Sequence, residues 1–397
     1  MWRSSWRLGL LAVLIALVGC AVARANGTSP EPTPPVILGD VNGDQKINLA
    51  DAILVLRFSL KQAVPTATQL SSADVDGDGR VTLADAMLVL RYALGLIHSF
   101  PAGPQPVPDL GPLASLHGRL PFPADNPWNQ PIDQAEVDPK SDVLIASIGL
   151  TAKLHPDFGS NLDGATFGLP YAIVPGTTPP VPLVFDYDTE SDPGPYPVPL
   201  DAPIEDGPDS SGDRHVLVVD RDHWKLYELF SAYPDGQGGW AAISGAVFDL
   251  SSNDLRPEGW TSADAAGLPI FPGLVRYDEV GELGEIRHAL RFTAKRTRHA
   301  YINPARHYAS TSRDTSLPPM GMRVRLKASF DISGFPPRCQ VILRALKTYG
   351  MFLADNGGNW FLSGTPDPRW DDEEMNLLKG VLGSDFEVVK MGPLTTD

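Results

Sequence analysis

Between Gly39 and Ile97 one pattern occurs twice, displaced by 34 residues. The first copy reads Asp40-Val41-Asn42-Gly43-Asp44-Gln45-Lys46-Ile47-Asn48-Leu49-Ala50-Asp51 and runs on into Ala-Ile-Leu-Val-Leu-Arg. The second reads Asp74-Val75-Asp76-Gly77-Asp78-Gly79-Arg80-Val81-Thr82-Leu83-Ala84-Asp85 and runs on into Ala-Met-Leu-Val-Leu-Arg. Calcium takes about 6–8 oxygen ligands, and a 12-residue loop wraps the ion with side chains at alternating positions. In the first copy the candidate ligands are Asp40, Asn42, Asp44, the backbone carbonyl of Lys46, Asn48 (directly or through water) and Asp51. In the second they are Asp74, Asp76, Asp78, the carbonyl of Arg80, Thr82 and Asp85. Two Ca2+ ions are therefore expected. Ile47 and Val81 fall between ligands, where the two loops are expected to pair as a short bridge. A helix should start at the end of each loop, with Asp51 and Asp85 near its positive pole. A chance acidic turn is the alternative, and two copies in register argue against it.

The repeat, taken as residues 37–98, resembles the dockerin type I domain, a duplicated loop–helix calcium module carried by polysaccharide-degrading enzymes. The resemblance implies a small α module that docks onto a cohesin partner. The family's recognition positions correspond here to Leu49, Ala50, Leu56 and Arg57, and to Leu83, Ala84, Leu90 and Arg91. The two sets are nearly identical, which implies a binding face with two-fold symmetry. Leu-Ala stands where many members carry a pair of small hydroxyl residues. Gln45 stands where calcium loops favour Gly for the sharp turn.

A chain of 397 residues has room for more than one domain. A formal net charge of −16 leaves nothing to neutralise phosphates, so no nucleic-acid partner is expected. The two cysteines, Cys20 and Cys339, cannot form a disulfide framework. Residues 1–25 read as an export signal: Arg3 and Arg7 precede the apolar run Leu8–Gly19, which is short for a lasting membrane helix. Leu17-Val18-Gly19-Cys20 resembles a lipobox, which implies membrane anchoring through a lipidated Cys20; Ala23-Arg24-Ala25 fits ordinary cleavage instead. Either route makes the protein secreted or cell-surface. Residues 26–36 and 99–114 are Pro-rich linkers, and 115–397 is a large domain.

The large domain reads as mainly β, a sandwich or barrel with few helices. Strands are expected at 169–174, 181–187, 215–219, 226–230, 241–248, 286–292, 322–328 and 351–355. Helices are expected at 338–349 and 372–382. Three chemistries compete for its polar segments. Glycan hydrolysis needs two carboxylates across the glycosidic bond, and Asp264, Asp278, Glu279 and Asp355 are the candidates because they sit at strand ends beside Gly and aromatic residues. His155, His215, His288 and His307 are candidates for a metal or base, and His288 beside Arg287 suits a polysaccharide lyase. The third reading is a non-catalytic glycan- or protein-binding domain, with Trp224, Trp240, Trp260, Trp360 and Trp370 as flat platforms for sugar rings. For each carboxylate a turn cap or surface role is the plain alternative, and for each histidine a hydrogen-bonded structural role. Cys339 reads as a small packing residue. The segments TSADAAGLPI, LVRYDE and LKASFDIS resemble a family of secreted bacterial proteins to which no reaction attaches.

Overall fold

The computed structural model of the chain describes residues 37–77, 80–97, 100, 106–160 and 167–396. The expected export signal with Cys20, the 26–36 linker, Asp78 and part of the 99–114 linker lie outside the described residues. Packing divides the chain into two compact units, Met1–Phe100 and Pro101–Asp397. No described helix is long and apolar enough to cross a membrane.

The first unit holds α1 (Leu49–Ser59), α2 (Ala67–Ala73) and α3 (Leu83–Ala93). The polar residue ahead of each long helix explains where it starts. Asn48 accepts a hydrogen bond from the Ala50 N–H, while the Asn48 N–H donates back to Asp51. Thr82 and Asp85 repeat this at α3. Each reciprocal pair satisfies orphan N–H groups and places a carboxylate on the helix's positive end. Val41, Ala52 and Val55 pack with their counterparts Val75, Ala86 and Val89 in one small core. Gly39 sits at φ +87°, and the Phe100 ring occupies the space a β-carbon would need. Phe100 in turn stacks on Tyr92 at 4.7 Å, tying the module's two ends together. The expected bridge between Ile47 and Val81 does not form; both side chains pack half-buried against the core instead.

The second unit is mostly β, with three sheets and few helices. The first sheet orders β1 (Gly111–Pro112), β3 (Tyr171–Val174), β5 (Val216–Asp220), β6 (Lys225–Phe230) and β9 (Ser244–Asp249). The second orders β14 (Phe386–Val388), β11 (Arg323–Leu326), β12 (Met351–Asn356), β10 (Leu290–Ala294), β13 (Phe361–Ser363) and β2 (His155–Asp157). The third orders β4 (Leu183–Phe185), β8 (Trp240–Ala242) and β7 (Tyr233–Pro234). Along β5, Leu217 and Val219 join a core shared with the second sheet, while Val216 and Val218 join a separate core with Trp240. Alternate side chains face opposite ways, so an unbroken apolar strand must be covered on both faces. Helices α4 (Ser141–Ile148), α5 (Pro337–Thr348) and α6 (Asp372–Asn376) complete the unit.

Several expected elements differ from those formed. The 286–292 strand begins only at Leu290; just upstream the Ala289 N–H donates to the Trp128 carbonyl and not to a neighbouring strand. The 241–248 strand breaks at Ile243 into β8 and β9, which belong to different sheets. The 372–382 helix stops at Asn376 and continues as a 3-10 turn over Leu377–Gly380. Helix α4 was not anticipated. The tryptophan platform is overturned: Trp224, Trp240, Trp360 and Trp370 are buried, and Trp260 is half-buried.

Trp360 shows why these rings are structural. It lies between Phe292 at 5.4 Å and Phe386 at 5.0 Å, and its indole N–H donates to the Gly149 carbonyl at 3.0 Å. Removing a large buried aromatic costs about 3–5 kcal/mol. Trp360→Ala is expected to destabilise the second unit by that amount in urea unfolding while leaving the first unit's helical signal intact. A loss under about 1 kcal/mol would show that the ring does not hold the core.

Candidate functional site

In the first unit, carboxylate oxygens of Asp40, Asp44 and Asp51 lie within 4.8 Å of one another, as do those of Asp74, Asp76 and Asp85. Among the described residues these are the only such groups of three. The backbone wraps them tightly. Asp40 accepts from the N–H groups of Gly43, Asp44 and Gln45, and Asp51 accepts from Val41, Asn42 and Asn48. Asp85 accepts from Val75, Asp76 and Thr82 in the same way. Asp51 and Asp85 are fully buried. Converging hard oxygens suit calcium. Asn48 and Thr82 are occupied as helix caps, so each has one oxygen lone pair already committed. Asn42 links to Asp44 by two hydrogen bonds. Gln45 adopts φ +64°, the left-handed conformation that glycine takes at this loop position without steric cost.

In the second unit the five residues nominated from sequence fall into two groups. Asp278, Glu279 and His288 surround Arg276 in the interior. Arg276 meets Glu279 at 2.7 Å and Asp278 at 3.5 Å, and His288 meets Glu279 at 3.0 Å. Asp278 also accepts from the Leu116 N–H. Burial alone would raise the Glu279 pKa, but Arg276 and then His288 hold it below its ordinary value. Burial pushes Asp278 up, against Arg276. All four side chains are nearly sealed from solvent, which suits a structural knot.

Asp264 and Asp355 belong to a different assembly. The Arg291 guanidinium donates two bonds to Asp264, at 2.9 and 3.0 Å, and one to the Ser363 hydroxyl at 2.5 Å. Ser363 is the register partner of Asp157 across β13 and β2. On the other side, His215 bridges the Ala263 carbonyl at 3.0 Å and Glu205 at 2.6 Å. A carbonyl and a carboxylate only accept, so both ring nitrogens of His215 carry protons. Burial alone would lower the His215 pKa; the Glu205 bond overrides it and raises it to about 9. Burial likewise would raise Glu205, and the His215 bond holds it below its ordinary value. Burial pushes Asp157 to about 6, opposed by Arg291 and reinforced by Glu205 and Asp206. Burial, with Asp264 adding, pushes Asp355 to about 7. Burial also lifts Glu228 to about 7 against the Phe271 and Ile270 N–H groups it accepts from. A bulge at Ala354 sets Asp355 opposite Thr293.

The four nominated histidines do not converge: His155 stacks on Phe361, and His307 stacks on Tyr308 and bonds the Ala265 carbonyl. Cys339 is buried, and burial pushes its thiol up to about 12, as an inert packing residue requires. Glu205 was missed from sequence, where it lies in an acidic, Pro- and Gly-rich stretch with nothing to distinguish it. A small cleft lined by Phe122, Trp128, Phe248, Leu255 and Arg256 includes none of these carboxylates.

The protein-family model described as the dockerin type I domain matches residues 38–94. Among solved structures, the chain is similar to one of the third cohesin ScaC in complex with the ScaB dockerin from Acetivibrio cellulolyticus, displaying a type I interaction. The match is 38% identical, covers 17% of this chain and 94% of that one, and has a TM-score of 0.16. A second similarity is to a type I cohesin–dockerin complex from Clostridium thermocellum, at 32% identity, 17% and 99% coverage, and a TM-score of 0.16. Comparison with curated proteins returned no match.

Two outcomes follow from the geometry. Gln45→Gly relieves a left-handed strain of about 1 kcal/mol, so calorimetry should show the first loop binding Ca2+ several-fold more tightly. Unchanged affinity would mean that the loop turn does not limit binding. Asp157, Asp355, Glu228 and His215 hold protons more tightly folded than unfolded. Their stability is present at low pH and is lost as pH rises through about 6, 7, 7 and 9 respectively. Glu205 acts oppositely, contributing above its ordinary value of 4.5 and losing that contribution as pH falls. The second unit's unfolding midpoint should therefore peak near about pH 5 and decline toward about pH 9. A midpoint that climbs over that range in scanning calorimetry would contradict these environments.

Proposed function

We propose, from the match of residues 38–94 to the dockerin type I domain, an exported protein that docks onto a cohesin and carries a glycan-cleaving domain. The observation that carries this reading is the convergence of three carboxylates in each of two in-register loops. Two Ca2+ ions occupy them. Asp40, Asn42, Asp44, Asn48, Asp51 and the Lys46 carbonyl hold one; Asp74, Asp76, Asp78, Thr82, Asp85 and the Arg80 carbonyl hold the other. Calcium supplies the positive charge that lets buried carboxylates crowd together, so ion binding and folding are linked.

The docking face is formed by the outer sides of α1 and α3. Leu49 and Leu83 are each 56% exposed, and Ile53 and Met87 are 49% and 55% exposed. An apolar residue repeated at equivalent places on two helices suits a partner that can bind in either of two orientations. Export follows the leader of residues 1–25, with lipidation of Cys20 as one route to the cell surface. The second unit acts on polysaccharide, by hydrolysis ahead of lysis. The alternative, a non-catalytic glycan-binding domain, loses its platform because the tryptophans are buried.

Calorimetry on the full chain should give two Ca2+ per molecule, and chelation should erase the first unit's helical signal. A helical signal indifferent to chelator would sink the calcium linkage. Leu49→Asp or Leu83→Asp alone should leave capture by a type I cohesin within about ten-fold, while the double variant should lose it altogether. Equal capture by wild type and double variant would place the docking surface elsewhere.

A further inference from the structure

The buried arginines of the second unit find acceptors, with one exception among the described residues. Arg256, Arg276, Arg291 and Arg325 each meet a carboxylate, and Arg214 donates to three backbone carbonyls. Arg298 is just as deep, at 8% exposed, yet its guanidinium bonds nothing among the described residues. Its Nε is sealed from solvent and unbonded. Nη1 and Nη2 are unbonded too but are not sealed, so the part of the residue still open includes the outer edge of its fork. No carboxylate acts on the group from a distance either; burial alone lowers its proton affinity.

The backbone around it is fixed. The Arg298 N–H donates to the Pro318 carbonyl at 3.0 Å, the His299 N–H to Ser312 at 2.7 Å, and the Met320 N–H to Ala300 at 3.0 Å. Residues 298–300 are thereby held between 310–312 and 318–320. Just before them the Thr297 hydroxyl donates to Asn356 at the end of β12. The charge of this stretch is opposite to that of the chain. Residues 295–313 carry Lys295, Arg296, Arg298, Arg306 and Arg313, two histidines and no Asp or Glu, within a net charge of −16. So acidic a protein repels polyanions at long range, and a local basic stretch gives one a place to approach.

We propose that the Nη edge of Arg298 is a subsite for the carboxylate of an acidic sugar, which makes the second unit's polysaccharide a uronate-bearing one; the assignment rests on the reading of that unit as acting on polysaccharide. Two parallel N–H groups on the open edge match the two oxygens of a planar carboxylate, a geometry that guanidinium offers and ammonium does not. The sealed Nε takes no part. A buried cation without a counter-charge destabilises the fold that holds it, and here the ligand brings the missing charge. Because the backbone is already fixed, little ordering is left to be done on binding.

The test is titration calorimetry on the full chain in calcium buffer, with galacturonate and mannuronate oligomers too short to gel. The methyl ester of the galacturonate oligomer, a neutral galactose oligomer and a sulfated oligomer complete the panel, and each mixture is assayed for new chain ends. Wild type should bind a uronate oligomer about ten- to a hundred-fold more tightly than its methyl ester. Arg298→Met should lose that margin. Its unfolding midpoint should equal or exceed that of wild type, whereas an arginine kept for the fold would lower it. Arg298→Lys keeps the charge without the fork and should bind about ten-fold more weakly than wild type; it decides the matter if the Met variant does not fold. Wild-type affinity in either variant overturns the subsite. Tighter binding of the sulfated oligomer overturns the uronate assignment in favour of a sulfate ester. Binding or cleavage of the neutral oligomer with no preference for uronates overturns the subsite and leaves the polysaccharide reading standing. Uronate binding that depends on Arg298 but yields no new chain ends upholds the subsite and removes cleavage. A wild type that neither binds nor cleaves any member of the panel ends both.

Discussion

Burying a carboxylate requires donors or a cation at close range, and this chain meets that requirement in several ways. Asp51 and Asp85 are surrounded by backbone N–H groups at a helix start. Glu228 takes the N–H groups of Ile270 and Phe271. Asp264 takes one edge of the Arg291 guanidinium, through Nε and Nη2, and Glu279 takes Arg276 and His288. A buried charge without such company costs several kcal/mol, which is why unpaired examples are informative. Asp157 is not fully sealed, yet it lacks a bonded partner among the described residues, and its proton affinity rises accordingly.

The same requirement separates the two units. In the first, three carboxylates converge in each loop, an arrangement suited to the positive charge of a bound cation. In the second, Arg276 and Arg291 supply it from within the chain. The first unit's acidic loops and its helix starts share the same carboxylates, Asp51 and Asp85. The second unit's fold rests on two apolar cores, one on each face of β5, and its buried charges are inserted as ion-paired clusters.

How much of this was visible in the sequence follows from range. The repeat was legible because its logic is local: ligand spacing, cap residues and helix starts all lie within about a dozen positions. Gln45 could be marked as out of place from the loop pattern alone, and its left-handed backbone agrees. Strand runs such as Val216–Asp220 were legible as apolar stretches. The break at Ile243 was not, because it is set by which sheet each half joins. The tryptophans misled for a related reason, since a ring that could stack on a sugar stacks equally well on Phe292 and Phe386. Asp264 and Asp355 could be nominated from strand-end context, but their separation from Asp278 and Glu279 depends on whether Arg291 or Arg276 lies beside them. That is fixed by pairings between positions as far apart as Asp157 and Ser363.

Glu205 illustrates what long-range packing adds. Taken alone it is one acid in a run that also contains Asp201, Asp206 and Asp209. It acquires a distinct role only when His215, ten positions later, folds back onto it while holding the Ala263 carbonyl. That carbonyl belongs to the residue before Asp264, so the Glu205 carboxylate and the Arg291 clamp are linked through a single peptide unit. The bulge at Ala354 brings Asp355 alongside the same clamp. Strands from one sheet, the end of another and a loop between them thus contribute to one polar cluster, while the cores on either side stay apolar. With Asp264 held by Arg291 and Glu205 held by His215, loss of the Glu205 charge would leave a buried imidazolium without its paired carboxylate, so the members of the cluster depend on one another.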